Sequence, residues 1–141
     1  MMRETPVDND VILIVDDSKF IAQAYSRVLL ALGYRVLIAC DGKTGIFAAE
    51  SCKPSLILLD MLMPDMDGLE VLRTLKRTPA TTDIPVLVTS SLSEKNSKKL
   101  IGEGAAGYFE KGSMTQEKLE NAISGILKKR LLVPSSQESQ V

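Results

Sequence analysis

The sequence contains no histidine, and it has only two cysteines in 141 residues. The lack of histidine excludes Ser-His-Asp and Cys-His catalysis, histidine metal sites and histidine phosphocarriers from this sequence. Cys40 and Cys52 are not spaced as zinc ligands, so we expect two reduced thiols in a cytoplasmic protein. Any chemistry must therefore use carboxylates, hydroxyls, lysines or the backbone.

An excess of one charge and long apolar runs are also missing. The 17 basic and 18 acidic residues give a net charge of −1, which favours no polyanion, so we predict no direct contact with nucleic acid. The longest apolar runs, such as VILIV, are too short to span a membrane, and the opening MMRETPVDND lacks the apolar core of a signal peptide. The length, with 45% hydrophobic and 25% charged residues, is typical of one soluble globular domain.

Short apolar runs alternate with segments of helical periodicity along the chain. This alternation favours parallel strands that are buried on both faces and joined by crossover helices. The predicted strands span 11–16, 34–39, 55–60, 85–90 and 107–111. Helices are predicted between the first two strands, over 43–52, 67–77 and 93–103, and after the last strand. The predicted fold class is α/β, a doubly wound five-stranded parallel sheet with five helices.

The first and last helices carry more specific signals. In the first, apolar residues recur at the spacing of one helix face, at Ile21, Ala24, Val28 and Ala31. In the last, Ser113 and Gln116 have the spacing of a capping box, which predicts where that helix begins.

The stretch SLILLDMLMPDMDG, residues 55–68, carries an apolar run straight into Asp60, where an uncompensated buried charge is costly. The first strand likewise runs into Asp16 and Asp17. Ligands of open α/β sheets bind beyond the carboxyl ends of the strands. If strands one and three are neighbours, three carboxylates converge there and require a proton or a cation. Oxygen ligands of this kind suit Mg²⁺ better than zinc or copper.

Two further side chains reach the same edge, Thr89 at the end of strand four and Lys111 at the end of strand five. Each residue taken alone is ordinary for a strand end. Together, a metal, a hydroxyl and an ammonium around one carboxylate form a site for a phosphoryl group. A carboxylate can then act as a nucleophile and carry an aspartyl-phosphate.

The segments ILIVDDS, LILLDMLMPDMDG, IPVLVTSS and GAAGYFEKG resemble the receiver domain of response regulators, and the chain is similar to single-domain chemotaxis regulators. The resemblance implies a flavodoxin-like sheet with strand order 2-1-3-4-5. The corresponding domain prediction is a receiver over 10–130, a disordered N-terminal tail over 1–9, and a C-terminal tail or linker over 131–141.

The resemblance also implies a role for each acid. Asp60 would be the phosphoacceptor, and Asp17 would bind Mg²⁺ directly. Asp16 would bind the ion mainly through water or would help to hold Lys111. The backbone carbonyl of Leu62 would complete the protein ligands of Mg²⁺.

A two-state switch is the function that the resemblance implies. Thr89 would hydrogen-bond a phosphoryl oxygen and move towards it, Lys111 would pair with the phosphoryl group, and Tyr108 would rotate inward as the aromatic switch residue. The face formed by helix 4, strand 5 and helix 5 would then change for a partner.

Implied partners are a sensor histidine kinase or phosphotransfer protein as donor, and a target protein or fused output domain downstream. A phosphorylation-dependent dimer is also compatible with the family, whereas no membrane partner is expected. Such a domain would catalyse only its own phosphorylation and dephosphorylation. Two alternatives stay open, a Mg²⁺-dependent phosphohydrolase with an aspartate nucleophile, and a receiver-shaped interaction module that works without phosphorylation.

Two departures from the family pattern generate further expectations. Gly112 follows Lys111 where the family usually has proline after a cis peptide bond, so this peptide is expected to be cis, or trans with Lys111 displaced. Leu62 and Ser91 occupy positions that influence dephosphorylation, and neither can act as an acid or base on water. Slow self-dephosphorylation is therefore predicted.

Overall fold

The computed structural model describes residues 10–90, 97–111 and 115–139. The strands are β1 (Val11–Val15), β2 (Arg35–Ala39), β3 (Leu56–Asp60), β4 (Val86–Ser90) and β5 (Gly107–Glu110). The helices are α1 (Lys19–Ala31), α2 (Gly42–Cys52), α3 (Gly68–Arg77), α4 (Ser97–Gly102) and α5 (Gln116–Ser139). Within the described ranges, no helix has the length and apolarity that crossing a lipid bilayer requires.

All strands pair in parallel in one sheet of order β2-β1-β3-β4-β5. This order confirms the predicted α/β class and the flavodoxin-like topology. It also makes β1 and β3 neighbours, with Val15 opposite Leu59. The acids at the ends of these two strands can converge only if β1 and β3 are neighbours, and this requirement is met.

The strand side chains alternate between two cores, one on each face of the sheet. On one face the strands pack against α2, α3 and α4, and on the other they pack against α1 and α5. The central strands β3 and β4 are buried along their whole length. Apolar runs without alternation are the expected sequence of such doubly covered strands.

The strand β2 departs from the prediction that every strand is buried on both faces. It lies at the edge of the sheet, and the side chains of Leu37 and Ile38 are exposed. An edge strand has only one neighbour, so its apolar sequence does not guarantee burial. Cys40 directly follows this strand, and both it and Cys52 are free and exposed, in agreement with two unpaired thiols.

The last helix differs from the prediction at both ends. It begins at Gln116, and the Thr115 hydroxyl accepts a hydrogen bond from the Lys118 N–H at 3.1 Å, which caps the first turn. Ser113, the predicted cap, lies outside the described residues, as does the predicted tail 1–9. The helix continues to Ser139, so most of the predicted tail or linker at 131–141 is helical. The segment 91–96, which includes part of the predicted fourth helix, is also outside the described residues.

The loop between β3 and α3 is held from two sides. The Asp65 carboxylate accepts hydrogen bonds from the backbone N–H groups of Gly42 at 3.0 Å and Lys43 at 3.3 Å, at the start of α2. The N–H of Gly68 donates to the Met61 carbonyl at 3.1 Å. These contacts fix the chain that directly follows Asp60.

Gly68 is required by close packing, because α3 begins against the backbone of the loop. A Cβ atom at this position would lie 2.5 Å from Met61 Cα and 2.8 Å from the Asp60 carbonyl oxygen. Backbone atoms cannot move aside as a flexible side chain can. A methyl group would therefore displace either α3 or the end of β3.

We expect Gly68→Ala to lower the free energy of unfolding by about 1–3 kcal/mol, the usual cost of overpacking. The matched control is Gly125→Ala in α5, where nothing lies within 4 Å of the added Cβ. That change should stabilise the protein by about 0.5–1 kcal/mol, because alanine is the better helix former. Urea unfolding of the three proteins measures both effects. Equal stability of the two variants would contradict the packing argument.

Candidate functional site

The side chains of Asp16, Asp60, Thr89 and Lys111 project towards the same face of the sheet, the one that α1 and α5 cover. Each lies two residues after a core residue of that face, in the pairs Ile14 and Asp16, Leu58 and Asp60, Leu87 and Thr89, and Phe109 and Lys111. Because strand side chains alternate, residues two apart share a face. Asp60 and Thr89 are also direct partners in the β3–β4 register.

The Lys111 ammonium joins the two buried acids. Its Nζ lies 3.1 Å from Asp16 Oδ2 and 3.1 Å from Asp60 Oδ1. The side chains of Asp16 and Asp60 are only 1% and 3% exposed, and buried carboxylates of this kind require a cationic partner. Lys111 is therefore not displaced from the site. Its peptide bond to Gly112 lies outside the described residues, so the choice between cis and trans stays a prediction.

Backbone hydrogen bonds orient both carboxylates. Asp16 Oδ1 accepts from the Ser18 N–H at 2.9 Å, and Asp60 Oδ1 accepts from the Leu62 N–H at 3.2 Å. The Asp16 N–H in turn donates to the Ala39 carbonyl at 3.0 Å, which extends the pairing of β1 with β2 by one residue. Both acids are thus positioned by the strand ends from which they emerge.

Burial raises the pKa of Asp60, and the neighbouring charge of Asp16 raises it further, although the Leu62 N–H and Lys111 oppose the shift. Burial alone would lower the pKa of Lys111, but the carboxylates of Asp16 and Asp60 outweigh that effect and raise it. Lys111 is therefore a stable cation at neutral pH. The acids retain mutual repulsion that one ammonium does not remove.

The arrangement of the acids fits a hard cation. Asp16, Asp17 and Asp60 each offer a carboxylate oxygen, and these atoms lie within 4.8 Å of one another. Among the residues that the structure describes, Asp16 Oδ2 has no aligned hydrogen-bond donor despite its ion pair. Three carboxylates and one ammonium leave a negative charge of two when all are ionised. All three acids offer oxygen ligands, and the exposed Asp17 leaves one side of the site open to water. Mg²⁺ prefers oxygen ligands and usually keeps several waters when it is bound.

Thr89 and Tyr108 lie on opposite faces of the sheet. Thr89 is buried beside Asp60, and its hydroxyl donates a long hydrogen bond of 3.5 Å to the Leu59 carbonyl. Tyr108 is half-buried on the face of α2, α3 and α4, where it borders a cavity of about 190 Å³. Met61 and Leu62, which follow Asp60, border the same cavity.

Tyr25 is the residue at this site that the sequence argument missed. The predicted face of α1 carried Ile21, Ala24, Val28 and Ala31, whereas the buried positions are Ala22, Tyr25, Ser26 and Leu29. Two apolar stripes lie side by side on α1, and only the packing angle decides which one points inward. The spacing of Tyr25 from Ala22 and Leu29 was the available signal. Burial raises the pKa of the Tyr25 hydroxyl, on which the charges of Lys111, Asp16 and Asp60 also act.

Comparisons with known proteins agree with this geometry. Residues 12–124 match the family described as response regulator receiver domain. The gliding motility regulatory protein of Myxococcus xanthus is 37% identical over 113 residues, which are 79% of this chain and 14% of that protein. The DNA-binding dual master transcriptional regulator RpaA of Synechocystis is 34% identical over 126 residues, which are 89% of this chain and 52% of that protein. The chain thus spans about half, or less, of these relatives.

A solved structure extends the agreement to the fold. The chemotaxis protein CheY4 of Vibrio cholerae matches with a TM-score of 0.77 at 27% identity, covering 83% of this chain and 98% of that one. The fold therefore belongs to a known architecture.

We expect Asp60→Asn to raise the free energy of unfolding in EDTA at neutral pH by about 1 kcal/mol, a typical effect of one substitution. The pKa of Asp60 is raised by folding, so ionisation of its carboxyl destabilises the native state fully above that pKa. The difference in the free energy of unfolding between Asp60→Asn and the wild type should shrink as the pH falls from the raised pKa of Asp60 towards the pKa of an ordinary aspartate. Urea unfolding across pH measures it, with Asp17→Asn at the exposed acid as control. An Asp60→Asn protein less stable than wild type would contradict net repulsion at this site.

Proposed function

The chain belongs to the response regulator receiver family, and we propose that it is a switch that accepts a phosphoryl group on Asp60. Receiver domains of response regulators act in phosphorelay signalling and are typically signalling modules without an enzymatic activity on other substrates. The proposal adds the residues that would perform this role in the present chain, and the surface that would respond.

The observation that carries the proposal is the position of the Lys111 ammonium, 3.1 Å from both Asp16 and Asp60. The same cation that opposes the upward shift of the Asp60 pKa is within reach of a phosphoryl group formed on that carboxylate. Developing negative charge would therefore meet a preorganised donor at no further cost of reorganisation.

In the proposed reaction, a carboxylate oxygen of Asp60 attacks the phosphorus of the donor. The bond between phosphorus and the donor breaks, and its electron pair leaves with the donor, which gives an aspartyl-phosphate. Asp16, Asp17 and Asp60, with the Leu62 carbonyl oxygen, would hold Mg²⁺, which supplies neutralisation of the phosphoryl charge when bound. Lys111 would stabilise the phosphoryl oxygens after transfer.

The proposed response begins at Thr89, because it is the register partner of Asp60 and its hydroxyl donates to the Leu59 carbonyl at the long distance of 3.5 Å. Movement of Thr89 shifts β4, whose next residue, Ser90, borders the cavity beside Tyr108. The cavity offers space for the Tyr108 ring to turn inward. This rotation would change the surface formed by α4, β5 and α5, where a partner would bind.

The proposed phosphodonor is a sensor histidine kinase or a phosphotransfer protein, and the output is a target protein or a fused domain. A phosphorylation-dependent dimer is a further form that the output could take. The balanced charge of the chain supports contact with protein rather than nucleic acid. RpaA is described as DNA-binding, but it is about twice as long as the segment matched here, so that property is not transferred to this chain.

Incubation with acetyl phosphate and Mg²⁺, followed by intact mass spectrometry, tests the acceptor directly. We expect the wild type to gain one phosphoryl group, and Asp60→Asn and EDTA-treated wild type to gain none. Steady release of phosphate over many cycles from a generic phosphate ester would instead favour a phosphohydrolase. Retained Mg²⁺ binding without any mass gain would contradict Asp60 as acceptor and favour an interaction module.

We expect phospho-Asp60 to be long-lived, because the Leu62 side chain cannot act as an acid or base on the attacking water. Leu62 is 53% exposed beside Asp60, where its apolar atoms would shield the phosphoryl group. Ser91, the second position considered, lies outside the described residues. Loss of the phosphoryl mass after removal of acetyl phosphate gives the lifetime, and Leu62→Glu should shorten it. A wild-type half-life of seconds would contradict this expectation.

A further inference from the structure

The loop of residues 61–67, between β3 and α3, carries one proposed ligand of Mg²⁺ on its backbone, the Leu62 carbonyl. A backbone ligand cannot adjust by rotating a side chain, so its position depends on how the loop is held. The Leu62 N–H donates to Asp60 Oδ1 at 3.2 Å, although the Leu62 side chain is exposed. One hydrogen bond does not fix a peptide plane, and the rest of the loop must therefore be held elsewhere.

Asp65 anchors this loop to a different element, three residues after Leu62. Its carboxylate accepts hydrogen bonds from the backbone N–H groups of Gly42 at 3.0 Å and Lys43 at 3.3 Å. The first N–H groups of a helix have no carbonyl partner within the helix, and they lie at its positive end, so they favour a carboxylate. The loop is thus joined to the start of α2 by two charge-assisted hydrogen bonds.

Close packing at the same junction adds to the anchor. A Cβ atom on Gly42 would lie 2.8 Å from Met66 Cβ and 3.0 Å from Val71 Cγ2. The residue after Asp65 therefore passes directly against the first residue of α2. Met66 also packs against the core on this face of the sheet. A carboxylate and an apolar side chain, adjacent in sequence, thus hold the loop against the same helix end.

Asp65 itself stands apart from the proposed metal ligands. Among the residues that the structure describes, the carboxylates close enough to share a metal ion are those of Asp16, Asp17 and Asp60. Asp65 is exposed, and its hydrogen bonds end on α2 rather than on the site. Any specific effect of Asp65 on the metal must therefore pass through the backbone of the loop.

We propose that Asp65 is a positioning residue for Mg²⁺, which holds the loop against α2 and so keeps the Leu62 carbonyl in place for the ion. The inference rests on the proposed function, because it presumes that Mg²⁺ binds to the three acids and to this carbonyl. A ligand that is already in place loses less freedom when the ion binds, so the anchored loop binds more tightly than a loose one. Groups that orient metal ligands raise metal affinity in this way.

The test measures Mg²⁺ affinity in the wild type, Asp65→Ala and Asp65→Asn, with Asp41→Ala as the matched control. Asp41 caps the same end of α2 by accepting a hydrogen bond from the Thr44 N–H at 2.7 Å. Its removal costs one carboxylate and one helix cap, and it leaves the Asp65 contacts with Gly42 and Lys43 in place. Electron paramagnetic resonance of free Mn²⁺, with displacement by Mg²⁺, gives the dissociation constants.

We expect Mg²⁺ to bind about 10-fold more weakly to Asp65→Ala, the lower end of the usual effect of losing a group that orients a metal ligand. Asp65→Asn loses the charge but keeps an oxygen acceptor, so it should bind Mg²⁺ more tightly than Asp65→Ala. Asp41→Ala should bind like the wild type.

Three results would overturn the inference alone: wild-type affinity in Asp65→Ala, equal affinities in the two Asp65 variants, or equal weakening in Asp41→Ala. In the last two cases, the loss of a charge or of a helix cap would explain the effect. Failure of the wild type to bind Mg²⁺ would overturn the metal site of the proposed function, and the inference with it.

Hydrogen exchange in the metal-free protein tests the step between Asp65 and Leu62. The Leu62 N–H donates to Asp60, so its exchange rate reports how long this loop geometry lasts. We expect faster exchange at Leu62 in Asp65→Ala than in the wild type, and wild-type exchange in Asp41→Ala, as measured by NMR. Equal exchange at Leu62 in all three proteins would show that Asp65 does not hold this part of the loop, and would overturn the inference.

Discussion

The contact on which the site depends is the Lys111 ammonium between the carboxylates of Asp16 and Asp60, 3.1 Å from each. A buried carboxylate without such a partner takes up a proton, and a protonated Asp60 is no nucleophile. One ammonium does not balance three carboxylates, so a negative charge remains that favours a cation. The same imbalance would oppose the approach of a phosphoryl group, itself an anion, until that charge is neutralised.

The rest of the fold accommodates this repulsion. Buried strands with a core on each face supply the stability that the acids reduce. Asp65 ties the loop after Asp60 to the start of α2, and Gly68 lets α3 begin against the backbone of that loop. The Asp60 carboxylate therefore lies between a fully buried strand and an anchored loop, while Asp17 leaves one side of the site open to solvent.

In the proposed switch, the alternation of side chains along β4 couples the two faces of the sheet. Thr89 faces α1 and α5, whereas its neighbour Ser90 and the nearby Tyr108 face the cavity on the other side. A shift of β4 towards Asp60 therefore changes both faces together. In this scheme, the cavity beside Tyr108 makes room for the shift.

The sequence by itself determined the element order and the α/β class, and it placed Asp16, Asp60, Thr89 and Lys111 at the carboxyl ends of their strands. These follow from strand periodicity and from the shared carboxyl edge of parallel strands, which are local properties of the chain. Tertiary structure alone decided that the Lys111 side chain bridges both acids, that Leu37 and Ile38 of β2 are exposed, and that the stripe containing Tyr25 is the buried face of α1. These features depend on strand neighbours and on the angle at which α1 packs, and two adjacent apolar stripes on one helix leave that angle undetermined until the helix meets the sheet.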